Sequence, residues 1–136
     1  MQHIYRMIEA RFLLYHGDHD MIDQYPDFVE EEDEEYNLAF EADDMLWMTD
    51  ALADIIWTCQ YMITYTDDKD IYEYYTEKRD NCVFALGDMA EEVMMEVARS
   101  NFSKTPSHDW QKIRKITWYF PPNLVPIIEK YDEQGV

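Results

Sequence analysis

Helix breakers are scarce over most of this chain, and that scarcity sets its fold class. Four of the five prolines, Pro106, Pro121, Pro122 and Pro126, fall in the last third, and only three glycines occur anywhere. Residues 1 to 104 also show little β-branched alternation, so the pattern favours helices over strands. The spacing predicts a first helix near 2–16, closed by His16-Gly17-Asp18. A turn follows around Tyr25-Pro26-Asp27, with Asp27 as N-cap of a second helix near 28–43. A third helix is predicted near 45–65. Its apolar stripe is Met45, Met48, Leu52, Ile55, Ile56, Cys59, Met62 and Ile63, at spacings of three and four. "TDDKD" ends it. A fourth helix runs near 70–100, with Cys82, Leu86, Met89, Val93 and Val97 inward. Beyond Asn101 the chain loosens, with a short extended piece through 112–120 and a last helical turn after Pro126. There is no internal repeat. The expectation is one all-α domain over residues 1–136, a four-helix bundle with a less regular C-terminal segment.

Charge narrows the partners. The 136 residues carry a formal charge of −19, which disfavours nucleic acid and anionic membrane surfaces. A hydrophobic fraction of 47% and an aromatic fraction of 15% argue for a packed globule rather than a disordered acidic tail. No stretch approaches the ~20 apolar residues of a membrane span, and the amphipathic N-terminus lacks a signal-like apolar run. Cys59 and Cys82 lie in helical apolar patterns without metal-ligand spacing, so they read as reduced core thiols. These features fit a soluble, cytoplasmic protein. His16 and His19 read as an exposed turn pair rather than a metal site.

The charge is uneven. Arg99, Lys104, Lys112, Arg114 and Lys115 are five of the eleven basic residues, set close together behind an acidic middle. Such a layout suits a metal-bound anion held between the two regions. At about 100° per residue, Glu32, Glu35 and Ala39 share one side of the second helix, beside an apolar stripe of Val29, Tyr36 and Phe40. Glu32 and Glu35 are thereby expected at the edge of the core, a costly place for paired carboxylates unless a cation neutralises them. Asp50 and Asp54 stack one turn apart on the third helix, opposite its core stripe, and Trp57 and Tyr61 continue that side. Two carboxylates from each helix make an all-oxygen cage of the kind that hard divalent cations prefer. A solvated acidic face is the plainer reading of the same residues.

Three blocks then resemble a known family. Glu31-Glu32-Asp33-Glu34-Glu35-Tyr36-Asn37-Leu38-Ala39 is followed by Asp50-Ala51-Leu52-Ala53-Asp54-Ile55-Ile56-Trp57. Further on come Arg99-Ser100-Asn101-Phe102-Ser103-Lys104 and, from Trp110 to Lys115 and Tyr119 to Leu124, a closing element with Pro121-Pro122. In this order, over roughly residues 28 to 125, they resemble the MazG-like and phosphoribosyl-ATP pyrophosphohydrolase superfamily of all-α nucleoside triphosphate pyrophosphohydrolases. The resemblance implies hydrolysis of a nucleoside triphosphate, or a close relative, to the monophosphate and pyrophosphate. It implies Glu32, Glu35, Asp50 and Asp54 as ligands of Mg²⁺ (or Mn²⁺). Glu35, with Glu32 beside it, would orient or deprotonate the attacking water. Asn101, Lys104, Lys112 and Lys115 would contact the triphosphate. Read from their own position, Trp57 and Tyr61 are candidates to stack a nucleobase, with core or dimer packing as the plainer reading. A homodimer or homotetramer is implied as well, with apolar surface from Tyr72, Tyr75, Met89, Met94 and Met95. The chain departs from the commoner pattern at Ala51, where Glu is usual, at Ala98, where His is frequent, and at Gln111, where Gly is expected. A different class of function stays open beside the enzyme: a non-catalytic acidic binding protein, such as a DNA mimic or inhibitor. The basic block around Asn101 and Lys104 separates the two, because a mimic gains nothing from cations beside its carboxylates.

Overall fold

The computed structural model describes residues 1–15, 23–102 and 121–134. Among these every regular element is helical: α1 (Gln2–Tyr15), α2 (Tyr25–Glu41), α3 (Met45–Tyr65), α4 (Lys69–Leu86), α5 (Ala90–Phe102) and α6 (Val125–Gln134). The chain is all-α. Among the described residues no helix is long and apolar enough to cross a membrane. The expected extended piece at 112–120, the His16–His19 turn, and Lys104, Lys112 and Lys115 lie outside the described residues.

Helix ends follow local chemistry. Asp44 caps α3 by accepting the Trp47 N–H at 3.0 Å, and Asp68 caps α4 by accepting from Asp70 and Ile71. Helix α2 differs from expectation. It begins at Tyr25, with Gln24 as an N-cap that makes no side-chain bond, so Asp27 lies inside its first turn. Pro26 is tolerated there because first-turn N–H groups have no intrahelical acceptor. The helix stops at Glu41, where Asp43 takes a left-handed φ of 53° and Asp43 and Asp44 return N–H bonds to Phe40 and Ala39. The fourth expected helix is two. Gly87, at φ 64°, terminates α4, and a single 3₁₀ turn (Gly87–Met89) redirects the chain into α5. Only glycine holds that conformation without strain.

Helix α3 is the centre of the molecule and touches α1, α2, α4, α5 and α6. Burial therefore surrounds it: Leu52, Ile55, Ile56, Cys59 and Met62 are buried as expected, and so are Thr49, Ala53, Gln60 and Tyr61 on other faces. Ile4, Ile8 and Phe12 of α1, at steps of four, and Val93, Met94 and Val97 of α5 close the core over it. Each buried aliphatic side chain of this kind contributes about 1.5–3 kcal/mol. Burial pushes the Cys59 thiol up to about 12 and the Cys82 thiol up to about 11, so both are free and unreactive core thiols. Arg79 of α4 is buried too. It donates to Gln60 at 2.9 Å and lies 3.8 Å over the Tyr5 ring, tying α1, α3 and α4 together. Some expected inward residues face out instead: Phe40 is 65% exposed and Met45 47%. Of the expected apolar surface, Tyr75 and Met94 are buried, while Tyr72 and Met95 are exposed.

Candidate functional site

The inward face of α2 is set by steps of four and three: Tyr25, Val29, Glu32, Tyr36 and Ala39. Val29 and Ala39 are buried against α3, and Tyr25 stacks on Tyr61 with centroids 3.7 Å apart. Glu32 is half-buried at the edge of this seam, where the helical spacing placed it. Its Oε2 is fully buried and has no hydrogen-bond partner. Such an oxygen carries a desolvation cost with nothing to offset it.

Across the seam, Asp50 and Asp54 of α3 are half-buried, one turn apart. The Glu32 carboxyl is pushed up to about 8, first by burial and then by repulsion from Asp54, Glu35 and Asp50. Burial, with repulsion from Glu35, also raises Asp50. The four acids expected to act together therefore sense one another electrostatically, with Glu35 the most exposed. Nearby cationic charge is directed elsewhere: Lys78 of α4 pairs with Asp33 at 2.7 Å. Among the described residues no three His, Cys, Asp or Glu side chains converge tightly enough to hold a metal ion. The donors themselves suit a hard divalent cation: all are carboxylate oxygens, and one is buried and unpartnered.

Asp50 and Asp54 open onto a cleft of about 510 Å³. Asn101 of α5, Trp47 of α3, Pro121 and Pro122 also line it. The volume is in the range of ligand pockets of nucleotide size. Three of the sequence-derived site residues, Asp50, Asp54 and Asn101, thus meet at one opening, with Glu32 and Glu35 behind it on α2. Trp57 does not line the cleft. It sits half-buried with its ring 5.6 Å from Phe12 and 6.2 Å from Phe102, edge-on to both. Tyr61, read from the sequence as a second base-stacking candidate, is wholly buried. The aromatic at the cleft is Trp47, 37% exposed. Its position three residues before Asp50 put it on the acidic stripe, a signal the Asp50–Asp54–Trp57 spacing overlooked. Ala51 and Ala98, the departures from the family pattern, are both core residues, each 1% exposed. Arg99 is engaged by Glu96 and the Pro121 carbonyl.

Fold and site define an all-α protein with a cluster of carboxylates on α2 and α3, two of which line a cleft. Compared with known proteins, the chain matches no family model, no curated protein and no solved structure.

Proposed function

We propose that the protein is a Mg²⁺-dependent nucleoside triphosphate pyrophosphohydrolase, cleaving a ribo- or deoxynucleoside triphosphate, or a related nucleotide, to the monophosphate and pyrophosphate. One observation carries the reading: half-buried carboxylates of α2 and α3, among them Glu32 with one buried oxygen that has no hydrogen-bond partner, lie beside a cleft of nucleotide size. A bound cation offsets the cost of holding these carboxylates close together. The resemblance of three sequence blocks to MazG-like enzymes points the same way.

Glu32, Glu35, Asp50 and Asp54 would hold the ion, which supplies neutralisation of the phosphate oxygens and of charge developing at the attacked phosphorus. Glu35, the most solvent-accessible of the four, accepts a proton from a water in the cleft. The water oxygen forms the new bond to the phosphorus that bears the nucleoside, and the bond to the bridging oxygen breaks. Pyrophosphate leaves with that electron pair. Asn101 donates its side-chain amide to the phosphate tail, and Lys104, Lys112 and Lys115 follow in sequence as further contacts. A substrate and its metal reverse the local field of an otherwise repulsive protein.

The test is pyrophosphate release from a panel of nucleoside triphosphates, with and without Mg²⁺, for wild type and Glu35→Gln. Metal-dependent release with matching monophosphate, reduced by about 10²–10⁴-fold in the variant, is the expected result. No release from any nucleotide by a folded wild type rejects the enzyme and favours an acidic binding protein.

A further inference from the structure

The cleft has one wall that does not come from the carboxylate helices. Pro121, Pro122 and Leu124 precede α6, and they line the opening opposite Asp50 and Asp54, beside Asn101. Two prolines supply no N–H groups, so this wall has few backbone bonds with which to secure itself. What fastens it lies on α5. Glu96 and Arg99, one turn apart, form a forked pair: Arg99 Nε donates to both carboxylate oxygens at 3.0 Å, and Nη2 donates to Oε1 at 2.6 Å. Each partner also grips the wall. Arg99 Nη2 donates to the Pro121 carbonyl at 3.2 Å, and the Asn123 N–H donates to Glu96 Oε1 at 3.1 Å. The Glu96 side chain is only 20% exposed.

We infer that Glu96 and Arg99 are positioning residues that hold the Pro121–Leu124 wall at the distance the cleft requires. Neither lines the cleft. They act through the wall, on the width available to a ligand facing Asp50, Asp54 and Asn101. A second attachment isolates this role. Glu92, one turn earlier on α5, accepts from Lys130 and Tyr131 at 2.7 Å each. It ties down the body of α6 without touching the wall, so α6 can be loosened while the wall stays fastened. Leu124 remains buried in the core in either case and limits how far the wall can drift.

The consequence for catalysis rests on the pyrophosphohydrolase reading; the fastening of the wall does not. Amide hydrogen exchange at Asn123 is followed in wild type, Glu96→Ala, Glu96→Gln and Glu92→Ala, alongside kcat and KM with Mg²⁺ and the preferred nucleoside triphosphate. Glu96→Ala should speed exchange at Asn123 by about ten-fold, because its acceptor is gone. It should raise KM by about ten-fold with kcat little changed, as expected when a wall is displaced and the reacting groups are not. Glu96→Gln keeps an acceptor for Asn123 and should restore most of the affinity. Glu92→Ala should speed exchange in α6 and leave KM alone. If Glu96→Ala does not fold, Arg99→Lys serves in its place, since a lysine cannot fork between Glu96 and Pro121. Unchanged exchange at Asn123, or an unchanged KM in an active Glu96→Ala enzyme, overturns the inference. A wild type that releases no pyrophosphate rejects the function instead, and exchange at Asn123 alone then decides the clamp.

Discussion

Two groups of carboxylates in this molecule experience opposite physics. Glu92 and Glu96 on α5 are held below the usual glutamate range, the first by bonds from Lys130 and Tyr131, the second by Arg99 and the Asn123 N–H. Glu32 and Asp50, in the seam between α2 and α3, are held above theirs, by burial first and by neighbouring acids second. The same residue types build a fastening in one place and, in the other, a cluster that favours the protonated form. A charge of −19 therefore says less about function than the location of each partner does.

The comparison is open to direct attack, and the largest effect comes from the proposed cation site. Replacing Asp54 by Asn should lower pyrophosphate release by 10²-fold or more, an effect on the order of 3 kcal/mol in transition-state stabilisation. The matching change Glu92→Gln should leave release within about two-fold. Equal loss in both variants, measured as kcat/KM at saturating Mg²⁺, would erase the distinction between the two groups.

Next in size is the stability conferred by the ion itself. Mg²⁺ at 100 times its Kd should stabilise the fold by about 2.7 kcal/mol, read as a rise in Tm, if it binds only the folded state. Glu32→Gln and Asp54→Asn should abolish most of that rise, and Glu96→Gln should keep it. A wild-type Tm indifferent to Mg²⁺ at every concentration tried would count against the seam as a cation site.

The smallest effect is the sharpest in sign. Glu32 binds its proton more tightly when folded than when unfolded. Its stabilising contribution is thus complete below the ordinary glutamate value and is lost as pH rises toward about 8. With allowance for its partial exposure, the loss amounts to about 1–2 kcal/mol. Glu96 has the reverse linkage: its contribution is present above the ordinary value and disappears as pH falls through its lowered one. Metal-free wild type should accordingly lose stability as pH rises from about 5 to 8, and Glu32→Gln should flatten that limb while leaving the acid limb intact. Chemical denaturation across this range would expose a failure, which is a Glu32→Gln profile that parallels wild type.

Much of this was legible locally. The bounds of α3 followed from its apolar spacing and from the polar break that begins at Thr66. The acidic stripes of α2 and α3 followed from helical spacing alone. The misreadings have physical causes as well. Asp27 resembled an N-cap, but Pro26 allowed the helix to begin before it. Gly87 was one residue in an unbroken apolar pattern, and its positive φ separates α4 from α5. Trp57 and Tyr61 continued the acidic stripe on a helical wheel, yet Phe12, Tyr25 and Phe102 cover them from α1, α2 and α5. Phe40 had a core spacing but falls in the last turn of α2 and is largely exposed.

The sequence by itself determined the helical class, the placement of two carboxylates on each of two helices, and the span of α3. These depend on interactions within a few residues, which pattern and propensity report directly. Only the tertiary structure decided that α3 packs against five other helices, that one oxygen of Glu32 is buried without a hydrogen-bond partner, and that Asn101 and Pro121 line one cleft with Asp50. Those facts join residues distant in the chain. Their energies depend on which surfaces are removed from water together, and a one-dimensional pattern cannot specify that.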